Sequence, residues 1–231
     1  MNPEQTLAKL AVDLNAPFEN VVSADHASAL RGPENRVPEG DLRIIINTVA
    51  AIQPGETLEV GLATASTAIA IMAAKPEGSS NHIALDPAQT SAFHNAGVER
   101  IEKLGLAPRF ELIEKSSHIA LPTLLIERQA RFDFVYIDGC HMFDYTLLEW
   151  FYSDKMLNIG GVIAFDDCMW PMVHAVASFV ETNCNYTFLK PNERTWLAVK
   201  MGEDRRKWLD FSPFTIPAGH HYDLLFKKYR K

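Results

Sequence analysis

Residues 56–74 read ETLEVGLATASTAIAIMAA, and the rest of the chain is organised around them. Thr57-Leu58-Glu59-Val60 reads as a short strand, Gly61 to Ala65 as a turn of small residues, and the apolar run to Ala74 as a helix capped by Ser66 or Thr67. A buried strand, a turn of small residues and a buried helix make the first βα unit of a nucleotide-binding sheet. Small side chains let a ligand approach the backbone, and the helix N-terminus offers free N–H groups to it. Asp86 closes the next apolar run, His82 to Leu85, where a carboxylate can accept both hydroxyls of a ribose.

The turn is not a dinucleotide fingerprint, because glycines are missing where Ala63 and Ser66 stand. The strand ends are also acidic. Glu59, Asp86 and, later, Asp138 would repel a pyrophosphate and suit a ligand with a positive centre. S-adenosylmethionine, with a sulfonium, an ammonium and an adenosine, is such a ligand. For any one of these acids alone, a partly buried strand residue with a local partner is the simpler account.

The remaining chain extends the same pattern. A helix is expected from Gly40, with Asp41 as its N-cap, to the stop at Pro54-Gly55. Helices are expected over Thr90 to Leu104, Ile119 to Ala130, Phe143 to Leu157 and Pro171 to Asn183. Strands are expected over Arg109 to Ile113, Asp133 to Asp138 and Val162 to Phe165, with Asn158 to Gly161 as a turn before the last. Tyr186 to Leu189 and Thr195 to Met201 read as strands joined by a turn too short for a parallel crossover, so that pair is antiparallel. Upstream, Thr6 to Leu14 has a helical apolar face. Asn15 to Glu39 has no sustained period and reads as a cover over the cleft, with a homo-oligomer contact as the alternative. The aromatic tail after Met201 is a second candidate cover. The expected organisation is a cover over 1–40, a ligand-binding domain over 41–201 and a tail over 202–231.

The chain has 231 residues, 47% of them hydrophobic, which suits one α/β domain. A net charge of −7 argues against a nucleic-acid partner. The Lys227-to-Lys231 run is a local basic patch that reads as a solvated tail. Three cysteines without CxxC spacing argue against a disulfide framework or a zinc site and fit a reducing, cytoplasmic setting. No stretch is apolar enough for a signal peptide or a membrane span.

Three motifs carry a family resemblance: LEVGLATAST, IALDPAQT and FDFVYIDGCHMFDYTLLEWFYSDKMLNIGGVIAFDD. The chain resembles the class I S-adenosylmethionine-dependent methyltransferases, in particular small-molecule O-methyltransferases, over roughly Leu42 to Met201. The resemblance implies a Rossmann-like three-layer α/β sandwich. Its seven-stranded sheet runs 3-2-1-4-5-7-6 with one antiparallel strand, and the cofactor sits at the C-terminal strand ends. Carried over by position, Glu59, Gly61, Ala63 and Ser66 approach the methionyl part, Asp86 takes the ribose, Ser117 and His118 sit by the adenine, and Asp138 lies beside the methyl-bearing end. Where Ala65 stands the family usually has a second glycine. Alanine permits close approach there if its φ is negative.

Methyl transfer to oxygen needs an in-line geometry and a proton acceptor. His141, three residues after Asp138, is the candidate base, and its usual pKa near 6.5 suits that work. A histidine capping the next helix is the competing account. Asp138, Asp166 and Asp167 end neighbouring strands and form a candidate Mg²⁺ site. Trp170 is the candidate for an acceptor pocket, while Cys140 and Cys168 read as packing residues. A silent cofactor-binding domain of the same fold is the alternative to a working transferase of a small-molecule acceptor.

Overall fold

The computed structural model describes residues 2–75 and 81–214. Its sheet has seven strands in the order β3-β2-β1-β4-β5-β7-β6. They are β1 Thr57–Val60, β2 His82–Leu85, β3 Phe110–Ile113, β4 Phe132–Ile137, β5 Leu157–Phe165, β6 Tyr186–Leu189 and β7 Trp196–Lys200. β1 to β5 pair in parallel, and β7 runs antiparallel to both β5 and β6. The short turn after β6 forces that reversal.

The pleat sorts the core into two layers. Leu58, Val60, Val135, Ile137, Ile163 and Phe165 face one side, against α6 (Ser117–Ile126), α7 (Phe143–Met156) and α8 (Pro171–Asn183). Phe134, Tyr136, Val162 and Ala164 face the other, against α3 (Glu39–Ile52), α4 (Ser66–Ala73) and α5 (Ala96–Lys103). Because β1, β4 and β5 are buried on both faces, their sequences show continuous bulk instead of alternation.

The upstream segment belongs to this core. Leu10 and Leu14, together with Phe18, Val22 and Leu30 around α2 (Ala24–Arg31), are buried in the same cluster as α3 and α4. In α1 (Pro3–Lys9) the Thr6 hydroxyl donates to Gly160 O at 2.7 Å, tying that helix to β5.

Several local expectations are corrected. Asn158 to Gly161 is not a turn. These residues extend β5 back to Leu157, with Gly160 at a φ of 82° and a register shift against β4. Asp41 is not an N-cap: Pro38 holds that place, and the Asp41 carboxylate accepts from Asn192 and Thr195. The helix expected from Thr90 begins only at Ala96, because His94 and Asn95 take positive φ. Ala65, with φ 62°, is the N-cap of α4, and neither Ser66 nor Thr67 supplies a side-chain cap. Residues 76–80, and residues 215–231 of the tail with the Lys227-to-Lys231 run, lie outside the described residues. Among the described residues no helix is long and apolar enough to cross a membrane.

Candidate active site

A cavity of about 550 Å³ opens over the C-terminal ends of β1, β2 and β4. Its floor is the turn after β1. Gly61 has a φ of 96°, and a Cβ there would collide with the backbone carbonyl of Asp138. Only glycine lets β1 and β4 close at this crossing. Ala63 and Ala65 also take positive φ, at 45° and 62°. The condition of negative φ at Ala65 is not met, and alanine bears that strain in place of the family's glycine.

Asp86 fixes this turn. Its Oδ2 accepts from Ala63 N–H at 2.8 Å and from Gln89 Nε2 at 2.9 Å, and its Oδ1 accepts from Ala88 N–H at 2.8 Å. Three of roughly four acceptor sites on the carboxylate are therefore taken by the protein. In this structure about one acceptor position of the Asp86 carboxylate is left for a further donor. Glu59 is 1% exposed, with the buried His82 Nε2 3.4 Å away. Burial first, then the charges of Asp138 and Asp86, push the Glu59 carboxyl well above its usual range. Burial lowers His82 to about 3. Burial thus opposes charge on both members of this pair, and a cation entering the cavity would favour the Glu59 carboxylate.

Ser66, at the start of α4, lines the cavity and accepts from Arg36 N–H at 3.4 Å. Arg36 and Val37 of the upstream segment line it too. No described residue of the downstream tail lines the cavity; Phe211 and Phe214 pack on Phe179 of α8 instead. Ser117 faces the cavity and donates to Glu149 Oε1 at 2.8 Å. His118, expected beside it, is turned out to solvent and meets Tyr145 edge to face. On a helix, the residue next to an inward serine points about 100° away.

At the β4–β5 side, Asp138, His141 and Asp167 bring their ligand atoms within 4.8 Å of one another. His141 Nε2 stands 3.1 Å from Asp138 Oδ1 and 3.0 Å from Asp167 Oδ2. Both His141 and Asp167 have positive φ, at 57° and 53°, so the backbone is strained where these side chains are aimed. Burial opposes a charged imidazole, but the Asp138 and Asp167 carboxylates outweigh it and push His141 up to about 10. Burial, only partly offset by His141, raises Asp138 to about 7. A histidine held at about 10 carries its proton at neutral pH. Asp138 is the group of the pair that titrates in the working range.

Asp166 is not part of this group. It is 1% exposed and held by Arg194, whose Nε and Nη2 reach its two oxygens at 3.3 and 3.1 Å. Of the trio Asp138, Asp166 and Asp167 expected to bind a metal, Asp138 and Asp167 have ligand atoms that converge here with that of His141, while Asp166 is turned to Arg194. Trp170 does not line the cavity; its ring packs 5.5 Å from His141. Cys168 is buried as expected, but Cys140 is exposed and lines the cavity.

Sequence reasoning missed Glu149, Arg194 and Arg36. Glu149 carried a signal, as one of two acids, with Asp154, among the inward residues of α7. Arg194 sits in a polar turn and carried none.

Comparison with known proteins agrees with this architecture. Residues 58–168 match the methyltransferase domain family. Tapetum-specific methyltransferase 1 of Arabidopsis thaliana is 28% identical over 140 residues, 59% of this chain and 57% of that protein. A caffeoyl-CoA O-methyltransferase of Populus kitakamiensis is 26% identical over 137 residues, 58% of this chain and 55% of that protein. The chain thus spans little more than half the length of these relatives. Among solved structures, the O-methyltransferase TomG of Streptomyces achromogenes, in complex with S-adenosylmethionine, superposes with a TM-score of 0.62. The two chains are 18% identical, and the match covers 87% of this chain and 97% of that one. Over residues 58–168 the chain is similar to the methyltransferase domain family, and its seven-stranded sheet has the fold of the solved S-adenosylmethionine-bound O-methyltransferase.

Proposed function

We propose that the chain is an S-adenosylmethionine-dependent O-methyltransferase of a small-molecule hydroxyl. The observation that carries this reading is one cavity lined by the glycine turn at Gly61, the strand-end acids Glu59 and Asp86, and a proton-handling pair, Asp138 with His141. In this reading Glu59, Gly61, Ala63 and Ser66 surround the methionyl part, Asp86 holds the ribose and Ser117 the adenine end. Residues 41–201 form the cofactor domain, 1–40 its cover and 202–231 a tail. His118 is left out, because it faces solvent.

The reaction is an in-line displacement at the methyl carbon. The acceptor oxygen forms the new C–O bond, the C–S bond breaks, and the sulfonium becomes a neutral thioether. Asp138, poised at about 7, takes the hydroxyl proton, while the His141 cation stabilises the negative charge that develops on the oxygen.

A divalent ion also fits the residues present. His141 Nε2 is buried, close to two carboxylate oxygens, yet aligned for a hydrogen bond with neither, and Asp167 Oδ1 is likewise without an aligned donor. Asp138, His141 and Asp167 would hold it, with Arg194 bridging Asp166 and the other oxygen of Asp167 beside them. An imidazole among two carboxylates suits Mn²⁺ or Fe²⁺ as well as Mg²⁺. Such an ion supplies a lowered pKa and a fixed orientation to an acceptor hydroxyl.

The test is calorimetric binding of S-adenosylhomocysteine, followed by methyl transfer to a panel of phenols, catechols and sugars with and without chelator. Binding with turnover supports the reading. Binding without turnover on any acceptor favours a silent cofactor-binding domain, and absence of binding overturns both. Full activity in excess chelator removes the metal.

A further inference from the structure

Glu149 lies in the middle of α7, 2% exposed, and contributes to the cavity wall. It is clamped on two sides. Its Oε1 accepts the Ser117 hydroxyl at 2.8 Å, and Gly139 lies so close that a Cβ there would stand 2.6 Å from the same oxygen. Its Oε2 is buried without a partner. A carboxylate shut in at such cost needs a reason beyond packing, since an apolar side chain would fill the space without the desolvation penalty.

The reason lies in what Glu149 does to Ser117. A serine hydroxyl has one proton and two lone pairs. Burial raises Glu149 to about 7, against the Ser117 hydrogen bond and the His141 charge that lower it; above that value the carboxylate holds the serine proton, and Ser117 presents only lone pairs to the cavity. It can accept a hydrogen bond from a ligand and cannot give one.

The surroundings say which part of a ligand meets it. Ser117, at the start of α6, lines the cavity together with the apolar and aromatic side chains of Pro87, Phe93, Met142 and Tyr145. That lining is apolar and aromatic around a single polar pair. It fits a flat heteroaromatic ring with one outward donor, the amino group of an aminopurine. An oxopurine turns a carbonyl to the same spot and faces the Ser117 lone pairs with its own.

We propose that Glu149 is a positioning residue that makes Ser117 an acceptor only, and so makes this part of the cavity selective for an amino- over an oxopurine. The proposal rests on the cofactor reading above.

The test compares S-adenosylhomocysteine with its deaminated counterpart, S-inosylhomocysteine, by calorimetry on the full chain. The wild type should bind the adenosyl compound at least tenfold more tightly. Glu149→Gln can give Ser117 a proton from its amide and release the serine proton to the ligand, so the ratio should fall to within about threefold of unity. Ser117→Ala should lose the discrimination as well. The ratio of the two ligands is the readout, because a general loosening of the fold weakens both alike. Glu149→Asp, which keeps the carboxylate, should keep more of the preference than Glu149→Gln and covers the case in which the amide variant fails to fold. Equal binding of both compounds by the wild type, or an unchanged ratio in Glu149→Gln, overturns the proposal while leaving the cofactor reading intact. Absence of binding by either compound overturns the two together.

Discussion

A methyl group added at Gly61 has no room, since the Asp138 carbonyl already occupies that space, and the φ of 96° is outside the range alanine prefers. Gly61→Ala should therefore cost about 3 kcal/mol or more of stability, measured by urea unfolding, because β1 and β4 must separate to admit it. Asp138 gives a prediction of a different kind. Its carboxyl titrates at about 7 in the fold against 3.8 as the ordinary value. The raised folded value means that Asp138 contributes stability below pH 3.8 that is lost as the pH rises through about 7. The ionised form is the proton acceptor, so kcat/KM should rise about tenfold per unit up to pH 7 and then level off. Asp138→Asn should lose that limb together with most of the activity. A flat profile in the wild type from pH 5.5 to 7.5 would remove Asp138 from the proton transfer.

Between elements, the connections matter more than any one site. Arg194, in the turn before β7, pairs with Asp41 of α3 at 3.3 Å and with Asp166 and Asp167 after β5 at 3.1 and 2.9 Å. Arg194→Ala leaves these carboxylates facing one another in a buried setting. The expected cost is about 3–5 kcal/mol in denaturant unfolding. A change under 1 kcal/mol would mean that water replaces the guanidinium. These links also show where sequence was legible. The order of strands and helices was readable because each strand is a short apolar run and each helix has its own period. The pairings of Asp41 and Asp166 were not legible for a shared reason: their partner, Arg194, is more than 25 residues away from either. Asn158 to Gly161 misled because two glycines in a row read as a turn, whereas Gly160 serves a bulge inside β5.

At the scale of the molecule, the strand ends that close the parallel half of the sheet also collect its acids, and the cavity follows from that topology. Glu59 and Asp86 were legible as strand-end acids, because the C-terminal end of a parallel strand is readable from where an apolar run stops. The pairing of His141 with Asp167 was not, because it depends on two positive φ values that no side-chain pattern announces. The two flanking segments differ. The upstream segment, aperiodic to the eye, is buried through Phe18 and Leu30 and brings Arg36 to the cavity. The described tail lies against α8 instead.

Cys140 turns this arrangement into a chemical reporter. It is an exposed thiol on the cavity wall, one residue from His141, whereas burial holds Cys168 well above the usual thiol range and lifts Cys184 to about 12. An alkylating dye at mildly alkaline pH should mark this chain once, at Cys140, and peptide mass mapping would locate the adduct. S-adenosylhomocysteine should slow that labelling at least fivefold, whatever the acceptor turns out to be. An unchanged rate at saturating ligand would place the cofactor elsewhere. The thiol thus gives an occupancy assay that requires neither turnover nor a known substrate.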